Sequence, residues 1–201
     1  SNVHIEGNTI IGKKTKIFPF AVIGTPPQDL KYKGEANRLE IGENNTIREF
    51  VTINPGTEAG GGKTKVGNNC LLMFSSHIAH DCTVGDEVIF ANHSTLAGHV
   101  IIEDKAVIGA LSAIHQFARV GEGSMIGGMS GVTGDVVPFS TVMGNRAKLS
   151  GLNIVGLKRR EVEKEEINEL RRVFKYIFYE KKDINYTLAF LMSVLRSLSS
   201  L

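Results

Sequence analysis

The sequence predicts a mainly β fold, a left-handed parallel β-helix built as a triangular prism, with a small C-terminal α-helical domain. Every sixth residue from Val66 to Val132 is large and apolar: Val66, Leu72, Ile78, Val84, Phe90, Leu96, Ile102, Ile108, Ile114, Val120, Ile126 and Val132. The position two before each later member is small or β-branched, running Cys70, Ser76, Cys82, Val88, Ser94, Val100 and on to Val136. From Lys158 the apolar spacing changes to that of an α-helix.

An α-helix of period 3.6 cannot hold a six-residue phase, and an ordinary strand needs period two. One large and one small inward residue per hexad is the signature of a hexapeptide β-helix. Each hexad makes one flat side and a corner, and three hexads close a coil. Glycine often follows the aliphatic residue, as at Gly67, Gly85, Gly109, Gly121 and Gly127. The stretch 66–137 holds four coils, which at the strand spacing of a sheet rise roughly 20 Å.

Upstream, Ile5, Ile11, Ile17 and Ile23 share one phase, and Ile41, Ile47 and Ile53 resume it. Between them, about 25–38, lies a polar stretch rich in turn formers, read as a loop thrown out from the prism. Ile53 to Val66 exceeds two hexads by one residue, so a second loop, about 55–64, leaves the wall and returns out of phase. Its glycine triplet Gly60–Gly62 reads as a flexible loop, since it lacks the strand-to-helix context of a phosphate cradle. Long loops on a rigid scaffold are where function tends to sit.

The hexads are expected to end near Pro138, with a connector to about Gly156. The predicted domains are therefore 1–156 and 157–201. In the second, Ile167, Leu170, Phe174, Ile177 and Phe178 alternate with charged residues at helical spacing. A second apolar helix is expected from about Asn185 to Leu198.

Composition narrows the function classes. With 201 residues and 42% hydrophobic content the chain can bury one core and a small appendage. A net charge of +2 excludes a nucleic-acid binder as the first reading. The segment 158–201 is its more basic part, with 10 basic and 7 acidic residues, a mild sign of an acidic partner there. Cys70 and Cys82 lack metal-type spacing and read as wall packing in a reducing compartment. No apolar run reaches the ~18 residues of a membrane span. A cytoplasmic protein without stable membrane insertion is expected.

His77, His80, His99 and His115 avoid the inward positions of their hexads. Aliphatic packing does not explain them, so they are read as a functional cluster. Gly98 falls one coil above His80, and Asp81 follows His80 directly. A histidine oriented by a carboxylate is the usual general base. A glycine above it leaves a backbone N–H open to an oxyanion. No side chain nearby reads as a covalent nucleophile, so direct transfer is the simpler chemistry.

The segments His77–Cys82, Thr95–Val100, Ala113–Phe117, Gln28–Tyr32, Ile47–Ile53, Gly60–Gly62 and Asn153–Arg160 resemble the UDP-N-acetylglucosamine O-acyltransferases of lipid A biosynthesis. The resemblance covers nearly the whole chain, in order. Relative to that family, fewer N-terminal coils and shorter C-terminal helices are expected in this sequence. It implies transfer of a 3-hydroxyacyl group from acyl carrier protein to the 3-hydroxyl of UDP-N-acetylglucosamine, the first step of lipid A biosynthesis. It makes His80 the base, Asp81 its orienter and the Gly98 N–H the oxyanion donor. Asp29, Lys31, His77, His99, His115 and Gln116 would bind substrate, and Asn153 and Arg160 the nucleotide end. Lys158 and Arg159 would meet the phosphopantetheine or carrier protein. Gly128, with Met129 and Arg146, would set acyl length, the glycine leaving the groove open to a longer chain. Val155 stands where some members carry a glutamate near the uridine. The resemblance also implies a homotrimer with sites between neighbouring prisms, and no cofactor beyond the carrier's own phosphopantetheine.

Rival readings stay open at this point. They are the N-acyltransferase of the same pathway, an acetyl-coenzyme-A transferase of the same fold, and a non-catalytic scaffold. The carbonic anhydrases of this fold hold zinc through three histidines, for which His77, His80 and His99 would be the candidates. Their pattern here differs, and no metal is expected.

Overall fold

The structure, a computed structural model, describes residues 2–179. The chain divides into two compact units, 1–150 and 151–201. The first is a three-sided stack of parallel strands, with sheets of seven, six and eight strands. Strands one coil apart pair in register, Ile78 with Leu96, Val84 with Ile102 and Phe90 with Ile108. The twelve large hexad residues from Val66 to Val132 are all at most 3% exposed. Their small partners are buried as well, Ser76, Cys82, Ser94 and Ser124 completely. Each large side chain taken from water contributes roughly 1.5–3 kcal/mol, so the interior column is the main source of stability.

The corners have their own rule. Every sixth residue from Asn69 to Met129 takes a left-handed backbone, with φ between 56° and 66°. For a residue with a Cβ this conformation costs about 1–2 kcal/mol, and only Gly123 of the series escapes it. No valine, isoleucine or threonine takes a positive φ among the described residues, as steric crowding of a branched Cβ demands. Asp81, His99 and Phe117 stack at the edge between the seven- and six-stranded sheets. Phe20, Phe50, Leu111 and Met129 occupy the edge between the eight- and seven-stranded sheets.

Both loops leave at the first of these edges. The strand Val22–Ile23 lies in the seven-stranded sheet and the next, Arg38–Ile41, in the six-stranded one. The same step separates Thr52–Ile53 from Lys63–Val66. Ile53 to Val66 is therefore one hexad with a seven-residue insertion, and not two hexads with one extra residue. Val66 accordingly pairs with Ile41, the previous rung of its own sheet. The second loop is also shorter than expected, because the wall resumes at Lys63. The loops are tied together by Arg38 N–H to Gly62 O at 2.8 Å. Asn54 Nδ2 donates to Thr25 O at 3.1 Å and holds the first loop to the wall.

The prism also continues past Pro138, in place of the expected connector. Ser140–Met143 pairs in parallel with Met125–Ile126, Ile126 against Val142, and Lys148–Leu152 follows in the same sheet. Here the coil is two residues short, so the hexad phase is lost while the wall is kept. At the other end, Ile5 is 46% exposed and Ile10 47%.

In the second unit α1 (Ile154–Arg159) begins inside the expected connector, because the Asn153 side chain caps it by accepting from Gly156 N at 2.9 Å. α2 (Lys164–Phe178) carries the amphipathic pattern and buries Ile167, Val173 and Phe174. The apolar segment 185–198 lies outside the described residues. Among the described residues no helix is long and apolar enough to cross a membrane.

Two interior features test the packing. Burial pushes the thiols of Cys70 and Cys82 up to about 11 and 12, which suits wall residues. Asn45 is fully buried at a small inward position. Its Nδ2 donates to Gly42 O and Gly67 O at 3.0 and 2.8 Å, and its Oδ1 accepts from Cys70 N at 2.7 Å. Asn45→Ala orphans Gly67 O and Cys70 N–H, while Gly42 O keeps the Thr15 hydroxyl at 2.9 Å; each orphaned group costs about 1–3 kcal/mol. Chemical denaturation is expected to show a loss of several kcal/mol; an unchanged midpoint would contradict this role.

Candidate active site

His80 and Gly98 occupy the same corner position on successive rungs, as the pairing of His77 with Thr95 and Ile78 with Leu96 requires. The stacking is close. A Cβ built on Gly98 would lie 2.5 Å from His80 Cε1 and 2.7 Å from Nε2. Glycine is therefore needed for the imidazole to fit. Among the described residues the buried Gly98 N–H meets no acceptor, while Gly98 O accepts from Phe117 N at 3.2 Å.

His80 Nδ1 lies 2.8 Å from Asp81 Oδ2. An ionised carboxylate only accepts, so Nδ1 carries a proton, and in the neutral imidazole Nε2 is then the nitrogen with the lone pair. The His80 side chain is 15% exposed and the Asp81 side chain fully buried. A buried carboxylate needs its hydrogen bonds met. Thr57 meets two of them: its N–H donates to Oδ1 at 2.8 Å and its hydroxyl to Oδ2 at 2.6 Å. Asp81 N–H in turn donates to Thr64 Oγ1 at 2.8 Å. A Cβ on Gly60 would lie 2.0 Å from Asp81 Cγ, and Gly61 and Gly62 have φ of +90° and +75°. The glycine triplet is thus folded tightly over the carboxylate and is no mere flexible spacer.

His99 Nε2 stands 3.8 Å from Asp81 Oδ2, and its ring meets His80 edge-on at 5.1 Å. Phe117, 66% exposed, stacks on His99 at 4.6 Å. His77 bonds Thr52 Oγ1 through Nδ1 at 2.7 Å. Burial, and then the nearby His80, hold the His77 imidazole below its usual range, which favours its neutral form. His80, Asp81 and His99 each offer a donor atom within 4.8 Å of the others, close enough to suit a metal ion. Both Asp81 oxygens and His80 Nδ1 are, however, already engaged in hydrogen bonds.

His115 and Gln116 lie exposed one rung above Gly98 and two above His80, His115 Nδ1 3.1 Å from Gln116 O. Asp29 and Lys31 sit on the loop that leaves the same edge, where Asp29 Oδ1 accepts from Lys31 N at 2.9 Å. Gly128 and Met129 follow the strand Met125–Ile126 and turn into the opposite edge of the seven-stranded sheet. Arg146 N–H lies by Gly131, near that edge. These three are not brought to the dyad within one chain. In the second unit Asn153 is a helix cap, Arg160 closes α1, and Lys158, Arg159 and Val155 are exposed. Sequence reasoning assigns no role to Thr57 or Phe117. Phe117 is legible, one coil beyond His99. Thr57 is not, because an inserted loop has no register to count from.

The family described as UDP-N-acetylglucosamine O-acyltransferase, domain 2, matches residues 135–197, and a bacterial transferase hexapeptide family matches 63–98. An acyl-[acyl-carrier-protein]–UDP-N-acetylglucosamine O-acyltransferase of Paracoccus denitrificans is 56% identical over 77% of this chain and 59% of its own length. That of Helicobacter pylori is 53% identical over 86% of this chain and 64% of its own. The chain thus spans about three fifths of these relatives. The crystal structure of the Moraxella catarrhalis enzyme superposes with a TM-score of 0.94 at 41% identity, covering 98% of this chain and 77% of that one. A further UDP-N-acetylglucosamine acyltransferase structure gives 0.87 at 51% identity, covering 91% and 70%. The chain belongs to the UDP-N-acetylglucosamine O-acyltransferase family.

Proposed function

We propose that the protein transfers a 3-hydroxyacyl group from acyl carrier protein to the 3-hydroxyl of UDP-N-acetylglucosamine, the first step of lipid A biosynthesis, with His80 as general base. The observation that carries this is the pairing of His80 with Asp81 directly beneath Gly98. His80 Nε2 takes the hydroxyl proton as the sugar oxygen attacks the thioester carbonyl. The carbonyl electron pair moves to oxygen, where the Gly98 N–H donates to it. The C–S bond then breaks, and sulfur takes the proton from Nε2. The imidazole ends neutral, and Asp81 stabilises the transient imidazolium. No covalent enzyme intermediate, cofactor or metal is needed.

His77, His99, His115 and Gln116 lie on the rungs around His80, and Asp29 and Lys31 on the loop that leaves the same edge, which supports these six as the residues that bind the sugar nucleotide and acyl group. Asn153 and Arg160 take the nucleotide end, and Lys158 and Arg159 meet the acidic carrier protein. Asn153 also caps α1, so its loss acts on that helix too. Gly128, Met129 and Arg146 measure the acyl chain from a neighbouring prism, because in one chain they occupy the other edge. A homotrimer in the cytoplasm supplies that neighbour.

With 3-hydroxyacyl carrier protein and UDP-N-acetylglucosamine, the parent is expected to form the 3-O-acyl product, and His80→Ala to lose at least ~100-fold. Full activity in His80→Ala would remove the assigned base. Gly98→Ala keeps the N–H but drives a Cβ into the imidazole. It is expected to fold and to lose about 100-fold, the scale of a misplaced reacting group; parent-like turnover would contradict the stacking.

A further inference from the structure

We propose that Thr57 is a positioning residue for the His80–Asp81 pair, and that the second loop latches onto the dyad through it. The inference rests on the reading of His80 as general base. Thr57 gives Asp81 two hydrogen bonds, one to each carboxylate oxygen, at 2.8 and 2.6 Å. Oδ2 is shared between the Thr57 hydroxyl and His80 Nδ1. Asp81 has two torsions to fix, and the paired donors from one residue fix both. Thr57 itself is 3% exposed, so its hydroxyl does not compete with water for this partner.

The loop is built to deliver that contact. Thr57 O accepts from Gly60 N and Gly62 N at 3.0 and 2.7 Å, closing a tight turn over the carboxylate. Gly60 leaves no room for a Cβ beside Asp81, and Gly61 and Gly62 take left-handed conformations. Gly62 O accepts from Arg38 N, which passes the anchorage on to the loop bearing Asp29 and Lys31. One buried carboxylate thus orients the base and closes the second loop.

The Thr57 hydroxyl also tunes the pair. By donating to Oδ2 it draws charge from the oxygen that faces His80. The titratable groups around the imidazole are Asp81 on its own corner, His77 on the strand before it and His99 on the rung above. None of these changes when only the hydroxyl is removed. Without it Asp81 favours the imidazolium more strongly, so the acid limb of the kcat profile moves to higher pH.

The test compares Thr57→Val, which removes the hydroxyl and keeps the branched shape and N–H, with Thr57→Ser, which restores it. Thr57→Val is expected to lower kcat by about 10- to 100-fold, the range for an outer partner that orients a reacting ligand, with KM little changed and the acid limb raised. Thr57→Ser is expected to stay within about threefold of the parent. In a His80→Ala background, Thr57→Val is expected to cost nothing further, since residues acting as one unit are non-additive. Parent-like kcat in Thr57→Val, or a full additional loss without His80, would overturn the proposal. Amide exchange over 57–62 in the substrate-free protein separates it from the activity assignment. Protection that falls in Asp81→Ala supports the latch even if the parent proves inactive with these substrates. Unchanged protection overturns it.

Discussion

Parallel register between coils is the constraint on which the rest of the molecule depends. The pairing of Ile78 with Leu96, and of Leu96 with Ile114, fixes not only the wall but every residue that turns a corner with it. His80 comes to lie under Gly98, and His99 beside it, because the strands cannot slip without expelling the aliphatic column. A one-residue slip would turn the large side chains outward, so the interior holds the site geometry rigidly. The placement of the candidate base and of the Gly98 N–H is a by-product of core packing.

Corners connect stability to chemistry. A left-handed residue turns every corner from Asn69 to Met129, and this excludes branched side chains while tolerating Asp81 and His99. The edge between the seven- and six-stranded sheets carries both insertions together with the left-handed corners Asp81, His99 and Phe117. Asp81 is the point where they meet. It turns the chain, holds His80 and receives Thr57 from a loop inserted one coil earlier. The neighbouring edge carries a different set, with Phe20 stacked on Phe50 at 5.1 Å and Phe74 against His93 at 5.2 Å.

Much of this is legible without coordinates. A six-residue period is a property of the wall itself, so the inward columns and the stacking of Gly98 on His80 follow from counting. Counting fails where the wall is interrupted. It divides the Ile53–Val66 interval wrongly, because sequence alone does not say how many faces an insertion spans. It misses Ser140–Met143 because the last coil is shortened and its phase breaks. Thr57 is beyond its reach, since its partner is set by the fold of an irregular loop. Asn153 reads as a ligand and is found capping a helix, a role that its residue type favours equally.

The most direct test is the tautomer of the neutral His80 ring in the substrate-free protein, read by nitrogen-15 NMR of labelled histidine. A proton on Nδ1, shifted downfield by Asp81, and a bare Nε2 are expected, with the signal lost in Asp81→Asn. A proton resting on Nε2 would mean that the nitrogen facing substrate cannot accept one, and His80 could not be the base.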